Sequence, residues 1–169
     1  MADQLDLELK RISHDAVPQA IDKAGQYRLL NDPELAESIC LDVLAVDPTN
    51  QKNLKTLILA ISDQFANSSS RVGPRDALLH VEKLASEYER LYYTGLVAER
   101  EARAFLGRTH ATAHAFFGFR QAMSWYEKAD ALAPAGNNDA RLRYNTCVRT
   151  IQREHLEAPP ASESELPLE

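Results

Sequence analysis

The chain has 169 residues, 44% of them apolar, and a formal net charge of -6. That length carries one domain with a substantial core and leaves little for a second. No run approaches the roughly 18 apolar residues of a membrane span, and Cys40 and Cys147 stand in unrelated contexts that make no disulfide framework. Residues 1–13 have acids among their apolar residues and no hydrophobic run, so they are read as an N-terminal extension and not as a signal peptide. A cytoplasmic protein with no membrane partner is expected. From Glu157 onward there are four acids and no bases, which leaves 21 acids against 19 bases in residues 1–156. A nearly neutral body argues against a nucleic-acid partner, which would need a basic surface. The acidic excess belongs to residues 156–169, whose Pro, Ser and Glu content predicts a disordered, solubilising tail.

The first helix is expected from Val17, where Ala20 or Ile21, Ala24, Tyr27 and Leu30 recur at three- and four-residue steps on one face. Pro18 suits its first turn. Asn31-Asp32-Pro33 then stops it and opens the next, with Asn in the left-handed cap, Asp32 as N-cap and Pro33 in the first helical position. Leu35, Ala36, Ile39, Cys40, Val43 and Leu44 give the second apolar face, closed by Asp47-Pro48, and Leu54, Leu57, Ile58, Ile61 and Phe65 give the third. Phe65 to Arg75 (FANSSSRVGPR) reads as a loop. A fourth helix is expected over 76–85, with Ala77, Leu78, Val81 and Leu84 inward. Ser86 to Glu89 is a capping box, so a tight turn and a long fifth helix to about Leu106 follow. That helix passes Gly95, where a partner helix can approach closely, and ends at Gly107. Gly107 to Phe119 (GRTHATAHAFFGF) is expected to be a second long loop. Ala122, Tyr126 and Ala129 then mark a sixth helix ending at Pro134. A seventh runs from about Asn138 to Glu154 with Leu142, Tyr144, Cys147, Val148 and Ile151 inward.

Two short helices, a turn and a closing proline over about 34 residues form the tetratricopeptide unit. Val17 to Asn50 resembles one, with Ala24 and Tyr27 on its first helix, Ala36 on its second and Pro48 at its close. Ala20 stands where the family often has an aromatic. QAMSWYEKADALAP, with Ala122, Tyr126, Ala129 and Pro134, resembles the second helix of another unit, and the middle of the chain departs from the pattern. The chain is similar to bacterial stand-alone tetratricopeptide (TPR) proteins over residues 14–155. That resemblance implies an all-α, right-handed solenoid of about three hairpins plus a C-terminal capping helix that closes the last apolar face.

The resemblance also implies a function: a protein-interaction module (adaptor, assembly factor or scaffold) holding a protein or peptide partner in its concave groove. A secretion-type chaperone is the alternative, and self-association through an uncapped stack end a further reading. The Lys and Asn with which some family members clamp a peptide carboxylate are replaced by Ile21 and Gly25, although Lys52 and Lys55 add positive charge in the next first helix. The two loops are expected on one edge of the stack, where long loops are often functional. Candidate partner-binding residues are therefore Lys52, Lys55, His110, His114, Phe116, Phe117 and Phe119, with the phenylalanines either anchoring a partner or stapling the loop to the core. His110 and His114 are four apart, but the metalloprotease pattern needs Glu directly after the first His, and Ala111 stands there. No third ligand is evident. With no phosphate loop, nucleophile turn or Cys-x-x-Cys pair either, neither an enzyme nor a cofactor or metal site is expected, and an enzyme or metal-binding protein using the His110/His114 loop stands as a lesser alternative.

Overall fold

The computed structural model describes residues 7–108 and 112–158. Within them lie α1 (Val17–Leu29), α2 (Pro33–Leu44), α3 (Gln51–Asp63), α4 (Pro74–Val81), α5 (Glu87–Leu106), α6 (Thr112–Ala131) and α7 (Asp139–Arg153), preceded by a short 3-10 turn at His14–Ala16. The described residues contain no strand, so the chain is all-α. None of these helices is long and apolar enough to cross a membrane. The expected tail falls almost entirely outside the described residues, as does the start of the N-terminal extension.

Side chains fix the helix ends where the sequence places them. Asn31 takes the left-handed backbone (φ 61°), and Asp32 accepts from the Leu35 N–H at 3.2 Å, starting α2 at Pro33. The Asn50 side chain caps α3 through the Asn53 N–H at 3.0 Å. Ser86 caps α5 through the Glu89 N–H at 3.3 Å. The fourth helix begins two residues earlier than expected and stops at Val81. The Asp76 carboxylate accepts from the Gly73 N–H at 2.8 Å, making Gly73 the cap and Pro74 the first helical residue.

By contact the chain falls into two units, one of Met1–Gln64 with Ser70–Ala85 and one of Phe65–Ser69 with Ser86–Glu169. The first unit holds α1 to α4, in which α1 packs on α2 and α3, α2 on α3, and α3 on α4. Val17 and Ile21 meet Val43 and Val46 in one apolar cluster. A buried hydrogen bond from the Asn53 amide to the Cys40 carbonyl (3.0 Å) joins α3 to α2. Arg28 and Asp63 (2.7 Å) join α1 to α3 at the half-exposed edge.

In the second unit α5 and α6 form an antiparallel hairpin, on which α7 packs. Its core runs through Ala102, Ala115, Phe119, Ala122, Met123, Tyr126, Ala129, Ala140 and Cys147. The two long helices touch closely at two glycines. A Cβ on Gly95 would come within 2.9 Å of the Tyr126 ring, and one on Gly118 within 2.8 Å of the Ala102 Cβ. The expected approach at Gly95 is therefore present, with a second at Gly118.

Gly118 also explains the main departure from the sequence reading. The expected second long loop is largely helix, because α6 already begins at Thr112. Ala115, Phe119 and Ala122 recur at helical spacing and are buried. Gly118, inside the expected loop, is a packing glycine. Three leucines assigned to apolar faces are also exposed, namely Leu30, Leu35 and Leu142. Leu30 and Leu35 flank the α1–α2 turn, and Leu142 lies in the first turn of α7.

The contact at Gly118 predicts a reversal of sign. Gly118→Ala gains up to about 1 kcal/mol of helix propensity but overpacks against Ala102 at a cost of roughly 1–3 kcal/mol, so it destabilises the wild-type chain. In an Ala102→Gly background the clash is gone, and the same substitution stabilises. Urea unfolding of the four chains checks this; additive effects would refute the close contact.

Candidate functional site

The second unit carries a charged cluster inside its core. Tyr88, Tyr92, Gly95, Glu99 and Arg103 follow one another at three- and four-residue steps, so they share one face of α5. Glu99 is fully buried there. A buried carboxylate is costly unless paired and hydrogen-bonded, and all three helices supply partners. The Tyr126 hydroxyl of α6 donates to Oε2 at 2.7 Å. From α5 itself, Arg103 donates to Oε1 through Nε (3.0 Å) and Nη2 (2.9 Å). Arg143 of α7 reaches the same oxygen at 3.4 Å.

Each partner's electrostatics follows from this arrangement. Burial, reinforced by the Glu99 charge and hydrogen bond, pushes the Tyr126 hydroxyl far above its usual range and keeps it a donor. Burial works against the charge on Arg143, but Glu99 and the Tyr92 hydroxyl outweigh it, so the Arg143 pKa is raised. Cys147 lies close by, and its thiol is pushed up to about 12, by burial first and by Glu99 second. Cys40 in the first unit is likewise pushed up to about 12 by burial. Neither thiol is a nucleophile at neutral pH. With both its oxygens engaged, Glu99 ties three helices together.

The candidate residues from the sequence separate into different environments. Phe119 is fully buried, with the Arg103 guanidinium 5.8 Å from its ring centre, and Phe116 packs partly buried against the same core. Phe117 is 54% exposed. It borders a depression of about 460 Å³ with Glu101, Ala102, Phe105, His114, Gly118 and Gln121. The His114 ring stands 5.7 Å from that of Phe105. His110 lies outside the described residues, and no three His, Cys, Asp or Glu side chains among the described residues converge as a metal site. Lys52, on α3 of the first unit, is exposed and pairs with Asp22 of α1 at 2.6 Å. Lys55 is half-buried on the same helix.

Glu99, Arg103 and Arg143 were not among the sequence candidates. Their one signal is Glu99 itself, a charged residue in register with Tyr88, Tyr92 and Gly95 on an apolar stripe. Comparison of the chain with protein-family models, with curated proteins and with solved structures returns no match.

Two tests follow from these placements. Phe119→Ser removes a fully buried ring and costs roughly 3–5 kcal/mol, whereas Phe117→Ser stays within about 1 kcal/mol of wild type; thermal melts of both distinguish core from surface. The thiols give a pH prediction. A folded-state pKa of about 12 against an ordinary 9.0 means that the unfolded chain releases these protons first. The stability due to the neutral thiols is complete below pH 9 and is lost as pH rises from about 9 to about 12. A Cys40→Ala, Cys147→Ala chain should show a shallower alkaline loss; identical pH profiles would contradict the assignment.

Proposed function

We propose that this chain is a TPR-like protein-interaction module that holds a protein partner and catalyses no reaction. The single observation that carries the reading is Phe117. It stands exposed on a regular helix and lines a depression together with Phe105, His114, Ala102 and Gly118. An exposed aromatic ring carried on a regular helix suits an anchor for an apolar side chain of a partner. Glu101 and Gln121 at the rim supply polar contacts around it.

Further support comes from the repeat positions. Ala24, Ala36, Ala122 and Ala129 are fully buried, as helix contacts in a tetratricopeptide unit require, and Tyr126 is buried with them. Binding is favoured over catalysis by the state of the reactive groups, since both thiols are held neutral and the buried carboxylate is fully engaged.

Affinity capture from the native cell with wild type, Phe117→Ser and Leu142→Ser tests the reading. Leu142 is exposed on α7, away from the depression, and serves as the surface control. The expected result is a protein retained by wild type and Leu142→Ser and reduced at least about five-fold by Phe117→Ser, the loss expected from removing a hot-spot ring. Equal retention by all three, with unchanged melting temperatures, would overturn the assignment of Phe117.

A further inference from the structure

The first unit carries a feature of a different kind at α4. This helix runs from Pro74 to Val81, short of the roughly 12–15 residues below which an isolated helix is marginal in water. Among the described residues, α3 is the only helix on which it packs. Ala77, Val81 and, just beyond the helix, Leu84 are buried. Gln51 of α3 holds the exit, accepting from the Ala85 N–H at 2.9 Å and donating to the Lys83 carbonyl at 3.4 Å. His80 stands in the last turn of α4. Its Nδ1 is buried and has no hydrogen-bond partner among the described residues. A neutral ring can keep its one proton on Nε2 and leave a bare lone pair at Nδ1, whereas a protonated ring must carry N–H on both nitrogens. A buried, unpaired cationic N–H costs more than an unpaired lone pair.

We propose that His80 makes α4 an acid-released latch: protonation of its imidazole detaches the helix from α3 and uncovers Ala77, Val81 and Leu84. The surrounding charges favour the neutral ring. Burial first, and the Lys83 charge second, hold the His80 pKa below its ordinary 6.5. Asp76 works the other way, but its carboxylate is committed to the Gly73 N–H at 2.8 Å. Arg75 and Glu82, the other charges of this segment, are exposed. The bonds of Gln51 set α3 and α4 antiparallel, so Lys55, one turn into α3, is level with His80 and carries the same sign as Lys83. Lys52 pairs with Asp22 and Asp63 with Arg28, both on α1, so no acid of α3 is placed to hold a protonated ring. The open helix binds the proton at the ordinary 6.5 and the docked helix only below it. Docking is therefore at full strength above pH 6.5 and weakens by up to about ten-fold per pH unit as the pH falls further. The latch lies in the first unit and does not depend on Phe117.

Native-state hydrogen exchange of the full chain, followed by NMR at about pH 7.5 and about pH 5.5 and corrected for the intrinsic pH dependence of exchange, tests the latch. Amides of α4, such as that of Val81, are expected to lose about five- to ten-fold in protection at the lower pH, while those of α1, α2 and α3 lose less. The His80 ring signals should titrate with a midpoint below 6.5. His80→Phe keeps a ring that takes no proton and should abolish the acid loss. His14→Gln removes an exposed histidine and should leave the loss in place. A His80 midpoint at or above 6.5 overturns the proposal. So does an acid loss that survives in His80→Phe, or one that falls equally on all four helices, which is global unfolding and not the release of one helix. If His80→Phe does not fold, the wild-type titration and the distribution of the exchange loss decide the question alone.

Discussion

The second unit depends on a carboxylate that has been removed from water. An isolated buried carboxylate costs several kcal/mol, and Glu99 is tolerated only because α5, α6 and α7 all bring donors to it. Those donors arrive only if the helices are close. The Tyr126 ring lies against Gly95, and the same residue's hydroxyl reaches Glu99, so the glycine contact and the charge cluster are parts of one arrangement. Gly118 against Ala102 holds the hairpin at the same spacing nearer its turn. The first unit achieves cohesion by other means, through capped short helices, small buried residues and one amide bridge from Asn53 to the Cys40 carbonyl.

The two sides of α5 carry different groups. On one side Phe105 shares a mainly apolar depression with Phe117 and His114 of α6. On the other, the arginines that neutralise Glu99 present more positive charge than it requires. Both sets of groups rest on regular helix, where side-chain positions are set by packing.

Much of the fold was legible because short-range rules governed it. Asn31, Asp32, Pro33 and Ser86 act through their own backbone neighbours, so their capping roles could be read from spacing alone. The reading failed where a distant partner decides the outcome. Gly118 looks like a breaker until Ala102 is placed against it, and without that contact residues 112–119 resemble a loop. The candidate phenylalanines diverged for a related reason. Phe116 and Phe119 share a face of α6 while Phe117 leaves it, and only the position of α5 determines which face is core. Glu99 was passed over because nothing in its local sequence shows that Arg143, 44 residues later, shares its oxygen with Arg103.

The measurement that tests the central claim most directly is the unfolding free energy of Glu99→Gln. The substitution keeps the size of the side chain and removes the charge on which both arginines and the tyrosine converge. A loss of roughly 3 kcal/mol in urea is expected, the scale for removing one partner from a buried ion pair. A variant within about 0.5 kcal/mol of wild type, the range of an ordinary surface change, would show that the carboxylate does not hold the three helices together.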